Sequence, residues 1–172
     1  MRTLVTGGVR SGRSLHAEEL LASRDDLTYV LPGPVHDEAE FAVRLAELRS
    51  RRPVTWTTHE TGDLAEALWI PGPVLVDSLD TWLTRLLDEA GLWDARVEDV
   101  TAYVDEETAA ALAALEGTTE DRVLVTSEVG LGIVPEHRSG RLYRELLGTL
   151  NQRFAAACGE VHLVVAGRVL VL

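Results

Sequence analysis

The sequence predicts a three-layer α/β fold, in which helices cover both faces of a mostly parallel sheet that ends in a C-terminal edge hairpin. Two observations support this prediction. Segments that favour strands alternate with helical ones along the 172 residues, and most of the former are near-continuous runs of Val and Leu, which is typical of strands buried on both faces. We expect residues 1–172 to form a single domain, because this length lies within the usual range of about 100 to 200 residues.

The first half of the chain predicts strands with helices between them. Residues 3–6 are a short β-prone run that stops at two glycines, and leucines then recur at helical spacing from Ser14 to Ala22. Later apolar runs predict strands over 27–31, 54–57 and 73–76, and helical patterns cover about 37–51, 62–68 and 79–90. Parallel sheets bind their ligands at the carboxyl ends of the strands, so we expect functional residues in the turns that follow them.

The second half continues the alternation and closes the sheet. A helical pattern is loose over 97–104 and clear over 106–116, and 121–126 predicts the next strand. A long amphipathic helix over 138–157 leads to a final pair of strands, 161–165 and 168–172, which meet at Ala166–Gly167. A two-residue connection of this kind predicts an antiparallel hairpin at the sheet edge.

The composition limits the classes of partner. The chain has 28 acidic and 16 basic residues and a net charge of −12, which disfavours nonspecific attraction to nucleic acid or to an anionic membrane. It contains no lysine, and its single cysteine, Cys158, excludes an internal disulfide. Since no apolar stretch approaches the roughly 18 to 20 residues that span a bilayer, we expect a cytoplasmic protein without a membrane span or a nucleic-acid partner.

Residues 7–14 have the spacing of a phosphate-binding loop: a glycine, four residues, a second glycine, a basic residue and a hydroxyl. Such glycines let backbone N–H groups point inward, and the following helix adds the positive end of its dipole. We expect nucleotide phosphates here, with the Ser14 hydroxyl on Mg²⁺; a glycine-rich turn without a ligand is the alternative. The predicted nucleotide-binding residues of the loop are Gly7, Gly8, Val9, Arg10, Ser11, Gly12, Arg13 and Ser14.

Two further side chains bear on this chemistry. Arg13 stands where such loops carry lysine, and its planar guanidinium differs from a compact ammonium. Two explanations stay open: replacement of lysine throughout a lysine-free chain, or a lower catalytic demand at this site. Asp77 ends the strand predicted over 73–76 and is placed like the carboxylate that holds Mg²⁺ in P-loop proteins. Its alternative role is to cap the next helix, for which Ser78 or Asp80 would serve equally well.

Segments along nearly the whole chain resemble the bifunctional adenosylcobinamide kinase and adenosylcobinamide-phosphate guanylyltransferase family of cobalamin biosynthesis. The resembling stretches are LVTGGVRSGRS with HAE, LVDSL with WLT, VLVTSEVGLGIVPE, NQR and EVHLVV. The resemblance implies a P-loop fold, a homotrimer, and ATP or GTP as a substrate. It also implies two reactions: phosphorylation of the aminopropanol hydroxyl of adenosylcobinamide, and transfer of GMP from GTP to that phosphate through a guanylylated histidine.

The resemblance also assigns residues outside the loop. Counting back from Arg52 places Glu47 at the position of the family histidine. Arg49 and Arg52 belong to a basic run that would hold GTP phosphates, or that simply forms the solvated end of a helix. Glu60 matches a family carboxylate that contacts the guanine nucleotide, and a solvated loop glutamate is the equal alternative.

Glu128 opens the most specific of the matching segments, residues 128–136. In an enzyme, we expect Glu128 to orient the attacking hydroxyl or to bind Mg²⁺ through water. We expect the segment to contact the corrinoid or a second subunit.

Three functions therefore remain open at the level of sequence. The first is an enzyme that phosphorylates adenosylcobinamide, with Arg13, Asp77 and Glu128 in its catalytic centre. The second is a catalytically reduced homologue that binds nucleotide or acts as a scaffold. The third is a P-loop kinase for another small molecule.

Overall fold

A computed structural model describes residues 1–33, 43, 46 and 52–172. The strands are β1 (Arg2–Gly7), β2 (Thr28–Leu31), β3 (Thr57–Glu60), β4 (Val74–Asp77), β5 (Arg122–Ser127), β6 (Glu160–Val165) and β7 (Arg168–Val171). The helices are α1 (Arg13–Leu20), α2 (Leu64–Leu68), α3 (Leu79–Glu89), α4 (Val97–Gly117) and α5 (Arg138–Ala157). The helix predicted over about 37–51 lies almost entirely outside the described residues.

The strands form one seven-stranded sheet in the order β3-β2-β4-β5-β1-β6-β7. Every neighbouring pair is parallel except β6 and β7, which are antiparallel and paired from His162 with Val171 to Val165 with Arg168. The mostly parallel sheet and its C-terminal edge hairpin are therefore confirmed. The order also fixes the geometry of the site, because β5 lies between β1 and β4 and brings its own carboxyl end between theirs.

Two apolar clusters lie on opposite faces of the sheet, which makes the three layers. Side chains alternate along each strand, so that Leu4 faces one cluster and Val5 faces the other. The cluster around Val5 is covered by Ala17 of α1 and by Leu21, the residue that follows this helix. Residues of α2, α3, α4 and α5 cover the face that contains Leu4.

The third strand begins three residues later than the sequence predicted. The run over 54–57 is wrong as a strand, because Trp56 N donates to Pro53 O at 3.1 Å and closes a turn there. Val54 is fully exposed, at 101%, so its side chain has no core to pack against and its β-propensity does not produce a strand. Pairing with β2 starts at Thr57, whose backbone N–H donates to Leu27 O.

The two helical patterns predicted over 97–104 and 106–116 form a single helix, α4. Asp105, the one residue between them, is exposed, while Val100, Val104 and Ala111 are buried, so the stripe that faces the core is continuous. In the described part of the chain, no helix combines the length and the apolar character that crossing a membrane requires.

Candidate active site at the carboxyl end of the sheet

The predicted phosphate-binding loop lies between β1 and α1, so the strand, loop and helix that the motif requires are present. Two of its residues adopt left-handed backbone conformations, Arg10 with φ 54° and Gly12 with φ 95°, and the latter favours glycine. At Gly7, a Cβ atom would lie 2.5 Å from both Ser11 Oγ and Val164 O. The sequence pattern is therefore matched by a backbone that glycine alone permits at these points.

The C-terminal hairpin contacts the phosphate-binding loop directly. Gly167, in the turn between β6 and β7, donates its backbone N–H to Ser11 O at 2.8 Å. Ser11 is itself buried. The edge hairpin is thus joined directly to the phosphate-binding loop, which the sequence pattern gave no means of predicting.

The guanidinium of Arg13 is folded against the start of the loop and the end of β5. Its Nη1 donates to Gly7 O at 3.2 Å and to Gly8 O at 2.8 Å. Its Nη2 donates to Ser127 Oγ at 2.8 Å. The side chain is mostly buried, so in this conformation Arg13 holds the ends of β1 and β5 together.

Asp80 is a member of this group that the sequence did not single out as a site residue. Its Oδ2 accepts the Ser127 hydroxyl at 2.7 Å and lies 3.7 Å from Arg13 Nη2. The cap of α3 is Ser78, which forms a capping box with Thr81, so neither Asp77 nor Asp80 serves as the cap. Only the strand order, with β5 between β1 and β4, brings Asp80 and Arg13 together.

Asp77 lies at the carboxyl end of β4 and is 4% exposed. Its Oδ2 accepts a hydrogen bond from the Tyr29 hydroxyl at 2.6 Å. Burial is the main cause that raises the pKa of Tyr29, followed by the negative charge of Asp77 and this hydrogen bond, so the phenol remains a donor. Tyr29 therefore fixes the orientation of the carboxylate that the sequence assigned to Mg²⁺.

Arg52 is buried beside this pair, so the interpretation as a solvated helix end does not hold for it. Its guanidinium carbon lies 3.3 Å from the centre of the Tyr29 ring, in a cation–π contact. Its Nε is 3.6 Å from Glu18 Oε1 of helix α1. Arg52 thus contacts both Tyr29 and helix α1. Glu47 and Arg49, which were predicted from the same part of the sequence, lie outside the described residues.

The segment 128–136 is anchored to the phosphate-binding loop and held in shape by two arginines. Glu128 N donates to Gly7 O at 3.0 Å, and Glu128 Oε1 accepts Gly130 N. Arg144 donates to the carbonyl oxygens of Gly130 and Gly132, and Arg141 donates to those of Pro135 and Glu136. The Glu128 carboxylate thus contacts its own segment, through the backbone N–H of Gly130.

The segment 128–136 presents large apolar side chains to solvent. Leu131 is 88% exposed and Ile133 is 96% exposed. A loop whose carbonyls are fixed while its aliphatic side chains face water is typical of a contact surface.

Glu60 is an exposed residue at the carboxyl end of β3, the edge strand opposite to β7. Strands β2, β4 and β5 lie between it and β1, a separation of roughly 19 Å at the usual spacing of neighbouring strands. Within one chain, the sheet therefore does not bring Glu60 to the phosphate-binding loop.

His16 of α1 and His162 of β6 form a pair that the sequence did not predict. His16 Nε2 lies 2.8 Å from His162 Nδ1, and His162 Nε2 lies 3.1 Å from Glu160 Oε2. Burial and the neighbouring His162 lower the pKa of His16, against the raising effect of Glu19. No local spacing signals this contact, since the two histidines are 146 residues apart in the chain.

The donor set at the loop fits Mg²⁺ in the way that nucleotide sites use it. Among the described residues, no group of three or more His, Cys, Asp or Glu side chains forms a self-sufficient metal site. Mg²⁺ typically takes one or two protein carboxylates together with phosphates and water. Ser14 of α1 and Asp77 of β4 are a hydroxyl and a carboxylate, donor types that Mg²⁺ accepts beside nucleotide phosphates.

Comparison with known proteins covers nearly the whole chain. Residues 3–172 match the family model described as CobU, cobinamide kinase / cobinamide phosphate guanyltransferase. The bifunctional adenosylcobalamin biosynthesis protein CobU of Salmonella typhimurium is 37% identical, with 97% of each chain covered. The protein of the same name from Escherichia coli is 38% identical, with 97% of each covered. The bifunctional adenosylcobalamin biosynthesis protein CobP of Pseudomonas aeruginosa is 36% identical, over 97% of this chain and 94% of the relative.

A search of solved structures gives a more distant similarity. The P4 protein from bacteriophage phi6 in complex with ADP matches with a TM-score of 0.42 and 17% sequence identity. The match covers 97% of this chain, which spans about half, 51%, of the P4 chain.

Proposed function

The chain belongs to the cobinamide kinase / cobinamide phosphate guanyltransferase family, and on this premise we propose that it transfers a phosphoryl group from ATP or GTP to the aminopropanol hydroxyl of adenosylcobinamide. The observation that carries the proposal is the whole-length family match combined with an intact loop of glycines between β1 and α1. We propose that the nucleotide phosphates bind at Gly7–Ser14, where backbone N–H groups and the positive end of the α1 dipole favour an anion.

Each polar residue of the loop has a distinct proposed role. Arg13 would offer its guanidinium to the transferred phosphate, whose three outer oxygens gain charge in the transition state. Mg²⁺, when bound with the nucleotide, would be held by Ser14 and by Asp77, directly or through water, and would neutralise charge between the β- and γ-phosphates. The hydrogen bond from Tyr29 supports this role for Asp77, because it fixes the carboxylate before the ion arrives.

We propose that the segment 128–136 receives the corrinoid. Its first residue is hydrogen-bonded to Gly7, so the segment lies next to the proposed phosphate position. Leu131 and Ile133 offer apolar surface to a large macrocycle, while Glu128, at the base of the segment, would orient the acceptor hydroxyl or hold Mg²⁺ through water. A contact with a second subunit is the alternative occupant of the same surface.

The second reaction in the family's description needs a residue that carries GMP. By the resemblance, Glu47 stands at the position of the family histidine, and it lies outside the described residues. We propose that no histidine-bound GMP forms at position 47, so that phosphorylation of the corrinoid is the activity this chain retains. Glu60 and the basic residues Arg49 and Arg52 remain candidates for guanine and phosphate contacts of GTP.

We also propose a homo-oligomer, a trimer by resemblance to the family, that acts in the cytoplasm on nucleotide and corrinoid without a nucleic-acid partner. Exposed apolar residues at the sheet edge support self-association, since Leu170 and Val171 of β7 are both more than half exposed. The net charge of −12 supports the absence of a nucleic-acid partner.

A catalytically reduced homologue is the second candidate, favoured by one observation: both terminal nitrogens of Arg13 are engaged by protein atoms. The two candidates are separated by incubating the purified protein with adenosylcobinamide and GTP labelled at either the α- or the γ-phosphate. We expect γ-label in the corrinoid and no acid-labile α-label on the protein. Nucleotide binding without γ-label in the corrinoid would overturn the proposed kinase activity on adenosylcobinamide, and an acid-labile adduct would restore the second reaction.

A further inference from the structure

We propose that Asp80 is a positioning residue that competes with the nucleotide phosphates for the guanidinium of Arg13. In the nucleotide-free protein, Asp80 and Ser127 would bind the guanidinium of Arg13. A nucleotide phosphate would have to displace these contacts in order to bind the same guanidinium. The inference rests on the proposed binding of nucleotide at Gly7–Ser14, and it adds a residue that neither the loop motif nor the family match identifies.

The contacts form a chain from the cation to the carboxylate. Arg13 Nη2 donates to Ser127 Oγ at 2.8 Å, and the Ser127 hydroxyl donates its own hydrogen to Asp80 Oδ2 at 2.7 Å. The same Asp80 oxygen lies 3.7 Å from Arg13 Nη2, so the ion pair is both direct and bridged. All three side chains come from different elements, α1, β5 and α3.

The pairing leaves one donor and one acceptor unused. Arg13 Nε and Asp80 Oδ1 are buried, and neither has a hydrogen-bond partner among the described residues. Buried polar atoms without partners are costly. The contact is therefore incomplete, and a phosphate, whose charged oxygens accept hydrogen bonds more strongly than a serine hydroxyl does, would complete the hydrogen bonding of Arg13.

Asp80 is held in place independently of Arg13. Its backbone carbonyl oxygen accepts the Tyr143 hydroxyl at 2.7 Å and the Thr84 hydroxyl at 3.1 Å. The first turn of α3 is already capped by Ser78, so capping does not explain the Asp80 carboxylate. What remains for that carboxylate is its contact with Ser127 and Arg13.

The Asp80 carboxylate and a nucleotide phosphate carry charge of the same sign beside Arg13. A carboxylate beside the phosphate-binding cation opposes anion binding by charge and by competition for the same donors. Removing the charge should therefore tighten nucleotide binding. A residue that only supported the fold would weaken binding when replaced.

The test is the dissociation constant of MgATP and MgGTP measured by calorimetry on the full chain. For Asp80→Asn we expect binding tighter than wild type by about 3- to 10-fold, the scale of one partly screened charge interaction. Asp99→Asn is the matched control, because it removes the same charge from an exposed pair with Arg96 on α4. Its dissociation constants should equal those of wild type.

A double-mutant cycle with Arg13→Ala separates competition for Arg13 from a general charge effect. The gain from Asp80→Asn should vanish in the Arg13→Ala background. An equal gain in both backgrounds, or unchanged or weaker binding by folded Asp80→Asn, would overturn the proposal. If Asp80→Asn does not fold, Asp80→Ser keeps a small polar residue in the first turn and carries the same expectation. Failure of wild type itself to bind either nucleotide would instead refute the proposed function.

Discussion

The Tyr29 hydroxyl of β2 donates a hydrogen bond to Asp77 Oδ2 of β4 at 2.6 Å, and these two strands are parallel neighbours in the sheet. The contact places a fixed carboxylate at the carboxyl end of β4, one strand away from β5 and two from β1. The guanidinium of Arg52 lies over the ring of the same tyrosine. Tyr29 therefore connects the proposed Mg²⁺ ligand to Arg52.

Tyr29→Phe should lower both the stability and the activity of the protein. The change leaves a buried Asp77 oxygen without its donor, which costs about 1 to 3 kcal/mol in the free energy of unfolding. Urea denaturation measures that loss. The activity of folded protein should fall with a higher requirement for Mg²⁺, whereas Tyr103→Phe, which removes a hydroxyl from α4, should leave the Mg²⁺ requirement unchanged. Equal Mg²⁺ requirements in wild type and Tyr29→Phe would contradict the role given to Tyr29.

Gly7→Ala should abolish nucleotide binding, because the new Cβ would meet Ser11 Oγ and Val164 O at 2.5 Å and displace the loop from β6. The reverse is expected at Gly148, in the interior of α5, where a Cβ has open space. There, alanine should stabilise the protein by about 0.5 to 1 kcal/mol. Calorimetric titration with MgATP and thermal denaturation test the two substitutions. A Gly7→Ala protein that binds MgATP as wild type does would refute the loop geometry.

Stability should decrease as the pH falls below about 6.5, the ordinary pKa of histidine. Burial and His162 lower the pKa of His16 in the folded protein, so the unfolded chain binds the proton more readily. The contribution is therefore complete above pH 6.5 and is lost as the pH falls through the lowered pKa. Urea denaturation from pH 8 to pH 5.5 should show this slope.

The His16→Gln variant should have a flatter dependence of unfolding free energy on pH than wild type. His137→Gln, which removes an imidazole from the start of α5, is the control and should keep the wild-type slope. Identical slopes in wild type and His16→Gln would show that the contact with His162 does not carry the pH dependence.

Leu131→Ser combined with Ile133→Ser should raise the KM for adenosylcobinamide while the nucleotide dissociation constants stay unchanged. The two side chains are almost fully exposed, so their replacement removes a contact surface without opening the core. Val54→Ser, at a fully exposed position in the turn before β3, is the matched control for loss of a surface aliphatic side chain. Light scattering on the double variant checks the alternative: dissociation of an oligomer with an unchanged KM would assign the surface to a second subunit.

Local patterns predicted the parts of the fold that depend on local sequence. The glycine spacing located the loop, and the runs of Val and Leu located β1, β4 and β5. The misplacement of β3 has a local cause, because the apolar Val54 lies in an exposed turn that follows Pro53. Apolar character alone does not distinguish a strand from a turn that happens to carry valine.

Such local patterns could not predict which side chains of the site contact each other. Asp80 meets Arg13 only because β5 is inserted between β1 and β4, and His16 meets His162 only because β6 lies beside β1. Strand order depends on how the helices pack on both faces, which no short segment of sequence specifies. For this reason the sequence identified Arg13 and Asp77 singly, without Ser127, Asp80 or Tyr29 as their partners.

The most direct test of the account is transfer of label from γ-labelled ATP or GTP to adenosylcobinamide by the purified wild-type chain, beside Arg13→Ala. We predict a labelled corrinoid with wild type, and a rate lower by about 100-fold or more in the variant, the scale for losing a preorganised charge contact in the transition state. An unlabelled corrinoid in the presence of protein that binds the nucleotide would contradict the proposed kinase activity.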